Sequence, residues 1–186
     1  YWDDLSIWDG GGIDKTKAVE FTAVLTNGGT LKLQSLGENS FDIVTAPGNE
    51  TEFLKSDLLV AYDKQLPTLT SGEFNKVKLI FNHVMARLRI VIEDKTTGVG
   101  NAPILGSNTK LELKALIGNK ITFGNADDKT TTVMADGTET KVTLLHTGVS
   151  EQKYTYEIIL PAQSLREATS ILTISGNANG KVYTYD

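Results

Sequence analysis

The sequence predicts an all-β protein, a β-sandwich of short and mostly antiparallel strands. Three observations lead there. Short runs of alternating apolar and polar residues recur along the 186 residues, and period two is the strand signal. Gly is abundant at 17 while Pro is rare at 4, so many tight turns separate the runs. No long stretch of helical periodicity interrupts them, which leaves sheet-on-sheet packing as the architecture.

In Tyr1–Ile13, Trp2 and Trp8 stand six apart, neither a strand pair nor a helix pair. They read as caps on a core edge beside the flexible run Gly10–Gly12. The sharper alternative is an aromatic platform, which makes Trp2 and Trp8 candidate glycan or interface contacts. The glycine run lacks the Lys and Ser of a phosphate loop. Val19–Leu25 and Thr30–Leu36 alternate on either side of Asn27-Gly28-Gly29 and predict a hairpin. Phe41–Val44 is a short apolar run ended by Pro47-Gly48-Asn49. Within Leu54–Tyr62, a strand over Leu58–Tyr62 is preferred to a short helix capped by Ser56. Residues 1–62 thus form an N-terminal β region, separate or part of the same sandwich. Residues 63–73 are polar, hold Pro67 and Gly72, and read as a linker or long loop. Residues 74–186 form the main sandwich region.

That region is organised around Val77–Glu93, VKLIFNHVMARLRIVIE. Val77, Leu79, Phe81 and His83 alternate at odd positions; Ala86, Leu88, Ile90 and Ile92 alternate at even ones. A continuous strand cannot change face, so the phase break predicts a β-bulge or single turn between His83 and Ala86. Phe81, His83, Ala86 and Leu88 are then all expected to point inward, with His83 partly buried and structural. Arg87 and Arg89 are expected to point outward. The rival, an amphipathic helix over Phe81–Leu88, is disfavoured by the β-branched flanks.

Asp94–Thr109 reads as a loop, Lys110–Ile117 and Asn119–Phe123 as two strands, and Asn125–Thr132 as a polar hairpin tip. Thr138–Leu145 alternates weakly. Tyr154–Leu160 is a strong strand stopped by Pro161. Ile171–Ser175 follows, then a Gly176–Gly180 turn into Lys181–Tyr185. The pattern amounts to roughly nine to eleven strands.

Little in the sequence points to chemistry. Net charge is −5 without a basic patch, which disfavours nucleic acid. The absence of cysteine removes disulfides, thiolate metal sites and cysteine nucleophiles. No stretch approaches the ~20 apolar residues of a membrane helix. His83 and His146 show no ligand spacing, and His146 is expected to lie exposed near a turn. Asp3–Asp4 and Asp127–Asp128 are adjacent pairs that a strand would split between faces. The calcium-loop pattern and the GxSxG elbow are missing. No catalytic, metal or cofactor residues are therefore assigned, and a hydrolase with dispersed carboxylates is the least favoured reading.

Asp57–Ala61, followed by Leu79, Phe81, His83, Ala86, Arg87 and Leu88, resembles the fimbrillin family of Bacteroidales, with its Mfa-type and FimA-type pilus subunits. Ile158–Gln163 is similar to the family's isoleucine-proline-glutamine segment, interrupted here by Ala162. Ile171–Ser175 with Val182-Tyr183 resembles the strand pair that follows it, and Tyr1-Trp2-Asp3-Asp4 an early segment. The resemblance implies transthyretin-like β-sandwich modules in a non-enzymatic, extracellular outer-membrane lipoprotein. It implies partners that are other fimbrial subunits, or the protein itself, joined by strand exchange, with a host or bacterial surface ligand as a further partner. Membrane attachment would run only through an N-terminal lipid anchor that this sequence does not contain. A first residue other than Met leads us to expect further sequence upstream, and the family's usual length leads us to expect more downstream.

Overall fold

The computed structural model describes residues 18–34, 38–66, 77–95, 104–165 and 171–185. Strands β1 (Val19–Leu25), β2 (Leu31–Lys32) and β3 (Ser40–Phe41) lead to one short helix, α1 (Glu50–Leu54). β4 (Leu59–Gln65), β5 (Asn82–His83) and β6 (Ala86–Glu93) follow. The long hairpin β7 (Lys110–Phe123) and β8 (Thr131–Thr143) comes next, then β9 (Leu145–Ser150), β10 (Lys153–Leu160), β11 (Leu172–Ser175) and β12 (Tyr183–Tyr185). Their sheet orders are β1-β4-β5, β6-β10-β9, β12-β11-β7-β8 and the ribbon β2-β3. Every pairing among the described residues is antiparallel. The all-β prediction holds.

The main core lies between the four-stranded sheet and β6-β10-β9. Leu111, Leu113 and Ala115 of β7 meet Tyr156, Ile158 and Leu160 of β10, with Val142 and Ile174 beside them. Leu88, Ile90 and Ile92 of β6 close its flank. A second cluster joins Phe41, Phe53, Val60, Tyr62, Met85, Ile121 and Ile159. β7 serves both clusters from one face, because Leu111, Leu113, Ala115 and Ile121 are all odd-numbered and side chains repeat every second residue. β10 serves both from opposite faces: Ile158 enters the first cluster and Ile159 the second.

Local chemistry places the smaller pieces. Asn49 caps α1 by accepting from Glu52 N–H at 3.0 Å, while Glu52 Oε2 accepts from Gly48 N–H at 2.7 Å. This reciprocal arrangement satisfies donors that a helix start leaves open and turns Phe53 into the second cluster. Asn119 is buried in β7 and imitates a strand: it accepts from Phe41 N–H at 2.9 Å and donates to Phe41 C=O at 2.7 Å. The β2-β3 ribbon is thereby stitched over the second cluster.

Three expectations are corrected and one helix is added. β1 does not form a hairpin with β2. The turn is present, with Asn27 and Gly28 at positive φ of 46° and 85°, but β1 pairs with β4 and β2 with β3. A Cβ on Gly29 would fall on Lys55 C=O and the Phe41 ring, so that turn is packed down rather than left to flank a ladder. The two strands expected over Lys110–Phe123 are one, interrupted only by a register shift between Leu116 and Gly118, where Ile117 faces two residues of β8. The strand preferred over Leu58–Tyr62 is present as β4, and the helix before it, which the sequence reading did not assign, is capped by Asn49. β4 also runs on through Asp63, Lys64 and Gln65, into the stretch expected to be a linker; residues 67–73 lie outside the described ones.

Because β7 and β10 each belong to both clusters, we expect one cooperative unfolding transition in urea. Leu58→Ala in the second cluster and Leu111→Ala in the first are each expected to lower its midpoint, by about 2–5 kcal/mol of stability. A pH dependence follows from Tyr156, whose ring is 1% exposed and whose phenol burial pushes above its ordinary value. The unfolded chain then releases this proton first, so this contribution to stability is intact below about pH 10 and is lost as pH rises through the folded value. Spectrophotometric titration is expected to show one tyrosine ionising late, and Tyr156→Phe to remove that phase.

Candidate functional site

The FxHxxARL stretch marks where the chain leaves one sheet for another. β5 pairs with β4, Leu59 opposite His83 and Val60 opposite Asn82. β6 pairs with β10 without a break, from Ala86 opposite Leu160 to Glu93 opposite Lys153. No bulge separates them; Val84 and Met85 carry the chain across. Val84 N–H still donates to Leu58 C=O at 3.0 Å, while the buried Met85 already belongs to the second cluster.

The inward assignments at this crossing fail for three residues of four. Phe81 is 38% exposed, the His83 side chain 67% exposed, and Ala86 is exposed. Leu88 does pack on the main core. Cross-strand partners share a face. His83 stands opposite Leu59, one residue out of phase with the core residues Leu58 and Val60, so its ring points outward. Ala86 sits at the strand end, where cover has not begun. Arg87 and Arg89 point outward as expected, 60% and 65% exposed at their side chains.

Each of these exposed side chains, His83, Arg87 and Arg89, reaches a buried carboxylate. His83 Nδ1 lies 2.8 Å from Asp57 Oδ1, and the Asp57 side chain is only 8% exposed. Arg87 Nη2 donates to Glu157 Oε2 at 2.6 Å, with Arg89 Nε 3.8 Å from Oε1. Glu157 occupies the outer face of β10, directly opposite Arg89. The Arg87 guanidinium also lies 5.3 Å from the centre of the Phe53 ring, within cation–π range. Asp57, His83, Arg87 and Phe53, together with Leu54, Met85 and Ile159, line a cavity of about 330 Å³. It holds one carboxylate, one guanidinium and one imidazole, but no serine, threonine or cysteine nucleophile among its lining residues.

Sequence reasoning named His83 and Arg87 but missed their partners. Asp57 is 26 residues from His83 and Glu157 is 70 from Arg87, and no local pattern joins residues so far apart. His146 is exposed, as expected, and lies 5.1 Å from the Tyr156 ring. Asp127 and Asp128 are divided between tasks: Asp127 holds Lys64 at 2.9 Å, and Asp128 Oδ1 accepts from Thr130 N–H at 3.0 Å. Trp2 and Trp8 lie outside the described residues. Among those described, no three His, Cys, Asp or Glu side chains group as metal ligands, and no helix is long and apolar enough to cross a membrane.

A second feature is an open margin. β6 and β12 are the end strands of two facing sheets. Between them runs a cleft of about 340 Å³, lined by Ile92, Leu105, Ile174, Tyr183 and Tyr185, with Glu93, Asp94 and Lys95 at its rim. Tyr154 O–H donates to Leu105 C=O at 2.9 Å and braces its floor.

These features define a sandwich whose polar pairs fasten strands together and whose β6 and β12 are end strands among the described residues. A family model described as fimbrillin-like matches residues 14–186, and the chain belongs to that family of pilus subunits. No curated protein and no solved structure matches it.

Arg87→Ala is expected to cost about 1 kcal/mol in urea unfolding, since the pair is half solvent-screened while Glu157 stays buried. Arg87→Met with Glu157→Leu is expected to cost less than the single change, because no charge is then stranded. His83→Leu is expected to cost about 1–2 kcal/mol by depriving the Asp57 carboxylate of its partner; an unchanged midpoint would show that this pair contributes nothing.

Proposed function

We propose that this chain is a non-enzymatic subunit of a cell-surface fimbrium that assembles with other subunits by strand addition along β6. The observation that carries this reading is the eight-residue end strand β6, which among the described residues pairs on one side only and borders the apolar cleft shared with β12. An edge strand presents a row of unpaired N–H and C=O groups, which natural proteins normally cover. An incoming extended segment would satisfy those groups and seat alternate side chains between the sheets. Adhesion, a lipid anchor and outer-membrane attachment belong to the same reading, supported by family membership alone.

The native chain has no cysteine, so a single Val91→Cys gives a clean probe on β6. Val91 is 50% exposed. In fibres sheared from cells carrying the full-length variant, a bifunctional thiol reagent is expected to link Cys at 91 to a neighbouring subunit, and maleimide labelling to fall well below that of the monomer. Equal labelling in fibre and monomer would overturn assembly at β6. Cells that carry the protein but bear no fibre, with the protein monomeric throughout, would overturn the fimbrial role itself.

A further inference from the structure

Beside β4 the first sheet comes apart. β5 covers only Leu59 and Val60, while β4 continues to Gln65. Residues 77–81 run past Tyr62–Gln65 outside any strand, tied by Lys78 N–H donating to Asp63 Oδ2 at 3.2 Å. The gap is a cavity of about 410 Å³ whose lining includes Asp63, Gln65, Lys78, Ile80, Asn82 and Lys129. It lies away from the β6 margin, and its role is independent of fimbrial assembly.

The walls are built by hydrogen bonds that do not need a ligand. Asp63 accepts from Lys64 N–H at 2.9 Å, from Gln65 Nε2 at 2.8 Å and from Lys78 N–H. Burial alone would push its carboxyl up, but these bonds and nearby Lys129 outweigh it and hold the group below its ordinary value. Asp63 thus stays ionised, with its acceptors committed to the wall. Lys129 comes from the β7–β8 turn, which Tyr62 anchors by accepting from Gly124 N–H at 3.0 Å. Asn125 Oδ1 braces the same turn, accepting from Asp127 and Asp128 N–H at 2.9 and 3.0 Å. The cation is therefore presented by a fixed support.

What remains available defines a ligand. Lys78 and Lys129 form no salt bridge among the described residues, although Lys129 lies near enough to Asp63 to help hold it ionised; Lys64 nearby is held between Glu20 and Asp127. Gln65 and Asn82 have their amide nitrogens engaged, leaving carbonyl oxygens as acceptors for hydroxyl groups. Ile80 is 63% exposed and offers an aliphatic surface. Two ammonium groups, hydroxyl acceptors and one apolar patch in a small cleft match the mixed lining of a small-molecule site. We propose that this cleft binds a carboxylate-bearing saccharide, its carboxylate between Lys78 and Lys129, its hydroxyls on Gln65 and Asn82 and its C–H face on Ile80.

The test is a titration of the isotope-labelled protein followed by amide chemical shifts, with glucuronate as the probe. Glucuronate is expected to shift the amides of 62–65 and 78–82 saturably. The uncharged methyl ester of glucuronate is expected to bind about tenfold more weakly, as are Lys78→Gln and Lys129→Gln proteins toward glucuronate, the loss of one charge-assisted contact. Lys141→Gln, distant on β8, is expected to bind like the parent, and unchanged spectra elsewhere show that the variants fold. An oligogalacturonate binding as well as the monosaccharide identifies an acidic polymer as the source; weaker binding identifies a free uronic acid. Acetate or inorganic phosphate matching glucuronate would reduce the cleft to a plain anion site and overturn the proposal. An ester that matches the acid, or no saturable shift with glucuronate, would overturn it as well.

Discussion

Between Tyr156 and Leu160, strand β10 has no solvent-facing side: all five residues are buried. Ordinary half-exposed strands alternate, and this one cannot. Its inner residues Tyr156, Ile158 and Leu160 require the β7–β8 sheet above them. Its outer residue Ile159 requires a second cover, which Phe53 of α1 and Met85 of the crossing provide. The outer neighbour Glu157 requires cations, because a buried carboxylate without one is far more costly than a lost hydrogen bond. The antiparallel register puts Arg89 opposite Glu157 and Arg87 opposite Ile159. The alternating arginines of β6 and the course of the chain through Val84–Met85 are consequences of covering one strand twice.

That double cover also explains which parts of the fold the sequence revealed. Lys110–Ile117 and Tyr154–Leu160 were legible as strands because β-branched and alternating residues act locally. Asn49 followed by Glu52 fits a capping pattern that the reading of Pro47-Gly48-Asn49 as a simple stop did not use. The phase change in Val77–Glu93 was real as a pattern but ambiguous as geometry. An inserted residue and a change of sheet disturb alternation in the same way, and only the partner strands separate them. Asn27-Gly28 likewise reported a turn faithfully while saying nothing of the partner: β1 finds β4, across some forty residues. The site residues followed the same divide. His83 and Arg87 stood out in a recognisable stretch, whereas Asp57 and Glu157 acquire meaning only through long-range pairing.

The two ends of the sheets are left in different states, and the difference is chemical. At β4 the margin is polar, fixed by Asp63 and the Tyr62-anchored turn, and Lys78 and Lys129 line it without a salt bridge among the described residues. Such a margin is a poor template for another strand, because an entering backbone would have to displace Lys78 and desolvate both amines. At β6 the margin borders an apolar cleft braced by Tyr154. The physical constraint that sorts them is desolvation: a dry, alternating surface accepts peptide, while a wet, charged recess accepts a soluble polar ligand.

Charge on the outer face of β6 refines this further. Arg87, Arg89 and Glu93 line that face, while Leu88, Ile90 and Ile92 remain on the inner one, half covered. Outward charges are a common protection against edge-to-edge aggregation, since a random strand would have to bury or repel them. Arg87 is hydrogen-bonded to Glu157 at 2.6 Å and Arg89 lies 3.8 Å from it, so the protection is tied to the sheet. For the assembly we propose, this makes the edge selective instead of closed. An incoming segment must leave polar residues over the arginines and place apolar ones at every second position toward Ile92 and Tyr183. A one-residue slip would reverse both sets at once, so the same buried carboxylate that stabilises the sheet would also enforce the register of whatever pairs with it.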